Sequence, residues 1–384
     1  MEAYEALLEK SVRERVVPGV ISLAKDTKGK LDYSKVISGP DSTYALDTVL
    51  EVASLTKLIT TIAALQLVER GLITLDEDVA LHIPAFASRD VLDGEIGADG
   101  TYSSHKRKNR ITLHHLLTHT AGTSYTFTDQ RIAKYVSSSP AYETKGTIDT
   151  HFHFPLSYEP GEGWLYGNAL DRVGQIIEKL SGDNLEDYFQ KNIFRPLGIS
   201  SASFWSDTRP PMAVRAHQHA PAILNPDAES FTTGLNECFG GQGLFINLQD
   251  YIKVLYSLLV DDEVLLKQET TALMFQPQLS PVTKAALLQT LESPGWAVGD
   301  LPPTGEYDWG YGGLLIDGDH HSYRRRNTLL WSGAPSLFWF IDREADLCGV
   351  FGTQVLPPSD PSVRPIIKAF EEAVYHQLDG VDNE

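Results

Sequence analysis

The chain has 384 residues, 42% of them hydrophobic and 22% charged, with a formal net charge of −19. That describes a packed globule of one large domain or two interleaved ones. It disfavours nucleic acid and anionic membranes as partners, because both select clustered cations. The dense basic runs, "HKRKNR" at 105–110 and "RRR" at 324–326, read as short, loop-borne, solvated charge.

Two cysteines, Cys238 and Cys348, make no disulfide framework. The start "MEAYEALLEKSVRERV" has no apolar h-region, and no run reaches 18 apolar residues. The expectation is a reduced, cytoplasmic protein.

"EAYEALLEKSVRERV" has helical spacing at Tyr4, Leu7, Leu8 and Val12. "PGVISLAKD" and "LDYSKVISG" predict a hairpin, with Gly29 of "TKGK" suited to positive φ in the turn. Residues 54–70 predict a strong helix closed by Gly71. Residues 87–110 carry Gly, Asp and charge with little periodicity and predict a loop. "TLHHLLTH" predicts a short helix. "YGNALDRVGQIIEKLSG" predicts one opening at Tyr166 and capped by Gly182, and "LEDYFQKNIFRPLG" follows as a third. "FTTGLNECFGGQGLFINLQDYIKVLYSLL" holds a glycine-rich turn and then a helix. From about 295 the texture becomes strand-like in "GYGGLLIDG", "NTLLWSGAPSLFWFID" and "LCGVFGTQVL". A helix over about 361–377 and a frayed tail "DGVDNE" close the chain.

Strands at both ends with helices between predict an α+β fold. The N-terminal hairpin joins the C-terminal strands in one antiparallel sheet, terminal helices flank it, and a mostly helical domain is inserted. The expected division is 1–55 plus 295–384 for the discontinuous sheet domain and 56–294 for the helical one. The start of the 54–70 helix then falls at the junction, where pockets form.

Within "ASLTKL", Ser54 and Lys57 stand one helical turn apart. A serine hydroxyl needs a base, and a lysine acts as one when desolvation or a neighbouring cation lowers its pKa. The apolar run "LITTIAALQLV" behind Lys57 offers such a wall, and the helix start favours negative charge at Ser54. The plainer alternative is a helix-start serine with a solvent lysine. Ser-x-x-Lys recurs at Ser103–Lys106, where no helix orients the pair. Tyr166-Gly167-Asn168 is the chain's Tyr-x-Asn. Its phenol can pass a proton if a cation such as Lys57 is near, and Asn168 has an amide for Lys57 or a substrate carbonyl; the alternative is a half-buried core tyrosine. In "LLWSGAPSLFWF" the strand pattern breaks at Ser332-Gly333-Ala334-Pro335. A strand glycine admits a ligand close to the backbone, and free edge N–H groups can hold an oxyanion; an ordinary strand glycine is the alternative.

These three features, in this order, resemble the serine β-lactamase and penicillin-binding-protein-like superfamily, especially its class C and esterase-like branch. "PGVISLAKD", "ASLTKLITTIAALQLVERGLITLDEDV", "ITLHHLLTHTAG", "YGNALDRVGQIIEKLSG", "FRPLGIS" and "GGQGLFINLQDYIKVL" look like that family's segments, in its order, over most of the chain. The resemblance implies a β-lactamase/transpeptidase-like fold. It implies Ser54 as nucleophile, Lys57 as its base partner, Tyr166 as proton shuttle and Asn168 as an accessory donor. It also implies an oxyanion hole from the backbone N–H groups of Ser54 and Ala334. Related enzymes carry a lysine–threonine–glycine strand. Here Trp331-Ser332-Gly333 stands in its place, and an indole cannot hold a β-lactam carboxylate. "WSGAPSLFW" looks closest to the fungal lovastatin-type acyltransferases, which are intracellular.

The function expected is therefore a serine acyl-enzyme acyltransferase, or transesterase, of secondary metabolism. It would move an acyl group from an ester or thioester to a small-molecule alcohol or amine. The donor could ride a phosphopantetheine arm, free or on an acyl carrier protein. The alternatives are a carboxylesterase and, further off, a β-lactamase or peptidase, an isomerase or cyclase, or a binding protein that kept the fold. No metal or nucleotide cofactor is indicated: His114, His115, His119, His151, His153, His217, His219, His320 and His321 form no zinc motif, and no Gly-x-Gly-x-x-Gly, P-loop or Gly-x-Ser-x-Gly occurs. His115 and His119 would share one helix face. The pocket rim is expected from 87–110, 123–165 and 296–325, with Trp331, Trp164, Trp309 and Phe239 as aromatic walls.

Overall fold

The computed structural model describes residues 1–97, 100–138, 146–206, 208–217, 220–292 and 294–381. His219, residues 382–384 of the expected tail and parts of the 87–110 and 123–165 stretches lie outside the described residues. Helix α1 (Glu2–Arg13) has Glu2 and Glu5 in its first turn and Lys10 and Arg13 in its last, complementing the helix dipole, and buries Tyr4, Leu8 and Val12 along one stripe. Strands β1 (Gly19–Asp26) and β2 (Asp32–Ser38) form the predicted hairpin. Gly29 takes φ +72°, and the Asp26 carboxylate accepts the N–H groups of Lys28, Lys30 and Leu31 across the turn.

Helix α2 (Thr56–Glu69) buries every residue from Thr56 to Leu67, as a helix apolar on all sides must. It starts later than the sequence predicts. Ala53–Leu55 form a 3-10 turn, and Ala53 stands at φ +45°, a conformation that L residues avoid. The neighbours hold this turn: Thr56 Oγ1 donates to the Ala53 carbonyl (2.6 Å), and Tyr251 OH to that of Leu55 (3.0 Å). A short strand, Val49–Glu51, leads into it and pairs with Phe245–Asn247, a ribbon not predicted from sequence. Helix α3 (Ala169–Ser181) ends at Gly182, φ +79°, and α4 (Leu248–Val260) starts from an Asn247 side-chain cap on Asp250 N–H.

The C-terminal strands are β3 (Tyr307–Trp309), β4 (Leu314–Ile316), β5 (Leu329–Gly333), β6 (Leu337–Asp342) and β7 (Leu347–Gly352), followed by α5 (Arg364–Val381). Seven strands run antiparallel in the order β2-β1-β7-β6-β5-β4-β3, with Ile21 opposite Gly352. Strands β5, β6 and β7 are buried along their whole length because helices cover both faces. Phe351 of β7 meets Phe370 of α5, while a Cβ on Gly352, pointing the other way, would strike Leu248 of α4. The antiparallel sheet built from both chain ends is the predicted one. The C-terminal helix runs past the expected residue 377 to Val381.

The structure corrects four local expectations. The 87–110 stretch contains a hairpin, Asp90–Asp93 paired with Ser103–Lys106. Ser103 lies in that strand and Lys106 meets Asp90 at the surface; a third Ser-x-x-Lys, Ser22–Lys25, is in β1. The "HHLLTH" helix stops at Leu117, so His119 (φ +59°) does not share a face with His115. "LEDYFQKNIF" is an α-turn, Leu185–Phe189, continued as a π-helix over Gln190–Phe194. Arg324 is not solvated: it is buried and makes a bidentate pair with Glu371.

Candidate active site

The 3-10 turn carries Ser54 to the floor of a cavity of about 570 Å³. Lys57, one turn on, is 2% exposed. Its Nζ lies 3.2 Å from Ser54 Oγ, 3.2 Å from Tyr125 OH and 2.6 Å from the Gly241 carbonyl. Three acceptors match the three N–H bonds of an ammonium, and all three are uncharged. The ammonium also stands 4.7 Å from the centroid of the Tyr166 ring.

Tyr166 reaches the centre through its ring, while its hydroxyl accepts the indole N–H of Trp331 at 3.1 Å. Trp296 stacks on the same ring, centroids 5.1 Å apart and planes 5° from parallel. Gly167 is required here because a Cβ would stand 2.6 Å from the backbone of Ser124. That contact brings Tyr125 and Tyr166 together, and Thr128 Oγ1 pins the pair by donating to the Tyr166 carbonyl. Burial, then the Asp171 charge and the Tyr166 phenol, pushes the Tyr125 hydroxyl well above the ordinary tyrosine range, so it remains a neutral phenol.

The end of β5 completes the cavity. β4 pairs only with Leu329 and Leu330, so Trp331, Ser332 and Gly333 run past it. A Cβ on Gly333 would stand 2.4 Å from the Val52 carbonyl, and its absence lets β5 lie against the Ser54 turn. Ser54, Trp331, Ser332 and Ala334 line the cavity.

Ser54, Lys57, Tyr166, Trp331, Ser332, Gly333 and Ala334 are thus gathered in one place. Asn168 is turned elsewhere: its Nδ2 donates to the Ser124 carbonyl at 2.8 Å, bracing that loop rather than meeting Lys57. The rim draws on Tyr125, Phe127, Trp296 and Val298, within two of the expected stretches, and on Phe231 and Gln242; among the described residues the 87–110 stretch supplies nothing to it. Trp164 and Trp309 are buried behind Trp331, and Phe239 borders a different cavity. Tyr125 and Asp171 were not singled out from sequence, and His119 was considered only as a helix-face partner of His115. His119 is buried 4.8 Å from the Tyr166 ring; burial and then the Lys57 charge push its imidazole well below the ordinary range, keeping it neutral. The acid inside the apolar pattern of "YGNALDRVG" was the signal available for Asp171. Among the described residues no three His, Cys, Asp or Glu side chains gather as metal ligands.

A family model described as "Beta-lactamase" matches residues 5–371. The chain belongs to the Beta-lactamase family. It is 36% identical to monacolin J acid methylbutanoyltransferase of Aspergillus terreus, covering 97% of this chain and 95% of that one. It is 37% identical to lovastatin esterase of Penicillium rubens, covering 94% and 95%. Unliganded simvastatin synthase from Aspergillus terreus superimposes with a TM-score of 0.89 at 34% identity, covering 98% of each chain. Within the Beta-lactamase family the chain is thus an enzyme of the acyltransferase and esterase group, with the fold the sequence predicts.

Proposed function

We propose that the chain is a transesterase that moves an acyl group between small molecules through an acyl-enzyme at Ser54. The observation that carries this is the buried Lys57 ammonium 3.2 Å from Ser54 Oγ, held otherwise by neutral oxygens. Ser54 Oγ attacks the carbonyl carbon of an ester or thioester, and its proton passes to the Lys57/Tyr166 pair, which accepts it in the state that has already released one proton, amine beside phenol or ammonium beside phenolate. The backbone N–H groups of Ser54 and Ala334 hold the oxyanion. The leaving alcohol or thiol departs with that proton, and an acceptor hydroxyl or amine then repeats the sequence in reverse to release Ser54. The relatives named for methylbutanoyl transfer support a short acyl group, and the cavity walls of Trp296, Trp331, Phe127 and Phe231 favour transfer by keeping water scarce. The donor is a thioester on a phosphopantetheine arm, presented by an acyl carrier protein in the cytoplasm.

Hydrolysis is the second reading, because a relative at 37% identity, against 36% for the transferase, is named an esterase. Lactam hydrolysis is disfavoured: Trp331 offers no cation where a β-lactam carboxylate would need one. The test uses a chromogenic short-chain ester with and without an added alcohol. Wild type is expected to give a burst, a Ser54 adduct by mass spectrometry and acylated alcohol. An adduct elsewhere, or activity kept by Ser54→Ala, refutes the assignment; free acid alone at saturating alcohol refutes transfer.

A further inference from the structure

Beneath the cavity, the glycine pair of "FGGQG" ties two helices together. Thr60 of α2 donates its hydroxyl to the Gly240 carbonyl (2.6 Å), and Lys57, one turn earlier, donates to the Gly241 carbonyl (2.6 Å). From the other side Asp171 of α3 accepts the Gly241 N–H at 2.8 Å. Neither glycine has room for a side chain: a Cβ on Gly241 would stand 2.5 Å from Asp171 Oδ2, and one on Gly240 would stand 2.8 Å from the Leu170 carbonyl. The turn is a strap, with Lys57 on its carbonyl side and Asp171 on its N–H side.

Asp171 is fully buried, and its Oδ2 has no hydrogen-bond partner among the described residues. Such a carboxylate is costly. Burial raises its pKa to about 6, against the opposing pull of the Lys57 charge and then of the Gly241 N–H. The groups that face it are Lys57 from α2, the Tyr125 phenol from the loop beyond the short Leu113–Leu117 helix, and Arg172 on its own helix, whose guanidinium is bonded to Asp149 and Gln175. An asparagine could accept the same Gly241 N–H with a smaller desolvation cost. The negative charge is therefore what needs a reason, and Lys57 is the buried cation beside it.

We propose that Asp171 is a positioning residue for the acyl-transfer centre: by holding the backbone at Gly241 it fixes where Lys57 Nζ sits, and its charge balances the Lys57 ammonium across the strap. This rests on the reading of Ser54 and Lys57 given above. The catalytic consequence is a rate that falls as pH drops through about 6, where the Asp171 carboxylate takes up a proton and its charge is lost.

Two measurements on the full chain decide it. The Gly241 amide resonance is expected to titrate with a midpoint near 6 in wild type and to stay flat in Asp171→Asn. With the chromogenic ester, Asp171→Asn, which keeps an acceptor for the Gly241 N–H but loses the charge, is expected to lose about tenfold in kcat, with KM held within about threefold. It should also lose the acid limb near 6 that wild type shows. A Gly241 amide that does not titrate in wild type overturns the inference, even if the variant fails to fold. So does Asp171→Asn with wild-type kcat and an unchanged pH profile. A titrating Gly241 in a protein that never acylates Ser54 upholds the strap and refutes the acyl-enzyme reading instead.

Discussion

Lys57 and Arg324 are both cations withdrawn from water, each 2% exposed, and they are surrounded in opposite ways. Arg324 donates to both Glu371 oxygens, at 2.8 and 2.6 Å, and to the Asp300 carbonyl at 2.8 Å. Burial opposes its charge, but Glu371 outweighs burial and binds its proton more firmly than usual. Lys57 has a serine, a tyrosine and a peptide carbonyl, and its nearest carboxylate acts across a glycine strap. The directly paired guanidinium holds α5 in place through Glu371. Lys57, held by neutral oxygens beside Ser54, is placed for chemistry instead.

The comparison predicts opposite outcomes for removing the two charges. Lys57→Met is expected to lower kcat with the chromogenic ester by about 10⁴-fold. An unchanged kcat would show that Lys57 has no part in the chemistry. Arg324→Met should cost about 3–5 kcal/mol in urea unfolding, because Glu371 is left buried and unpaired, with kcat per folded molecule kept. Adding Glu371→Leu should recover most of that loss; if the double variant is no better, the pair matters for more than charge. Trp331→Phe keeps the wall but removes the 3.1 Å donation to Tyr166 OH, and about a tenfold loss in kcat is expected.

The smallest effect lies at the surface. His105 sits between Glu159 (2.9 Å) and Asp93 (2.6 Å), and these hydrogen bonds, Glu159 first, raise its pKa above the ordinary value. A group whose pKa is raised by folding stabilises most below its unfolded value, about 6.5, and loses that contribution as pH rises through the folded value. The thermal midpoint should therefore slip slightly between pH 6 and 9, and His105→Gln should flatten that slip relative to wild type.

Much of this was legible in the sequence because it is local. Ser54 and Lys57 are one turn apart, Tyr166-Gly167-Asn168 is contiguous, and Trp331 to Ala334 is a single strand end. What was missed depends on distant partners. Glu371 lies 47 positions from Arg324, so a buried pair read as solvated charge. Tyr125 reaches Lys57 across 68 positions and Gly241 across 184. The Asp90–Asp93 hairpin was hidden because its partner strand, "SSHK", has neither apolar alternation nor branched residues. Asn168 was misplaced because an amide in a promising motif does not declare which carbonyl it will find. The left-handed Ala53 follows from the walls around the turn rather than from alanine itself, which disfavours it.

The pairing of Ile21 with Gly352 also sets a timetable for synthesis. Strand β1 can pair with β2 as soon as both are made, but β7, the neighbour on its other edge, is the last of the seven strands to be made. During that interval an apolar two-stranded ribbon shows an open edge, the kind of surface on which nascent chains stick to one another. The same order keeps the catalyst silent: Ser54, Lys57 and Tyr166 are translated early, while Trp331 and Ala334 arrive with the last strands. A chain interrupted before β5 therefore carries the nucleophile but not the groups that complete its pocket, and β7 closes the sheet only after them.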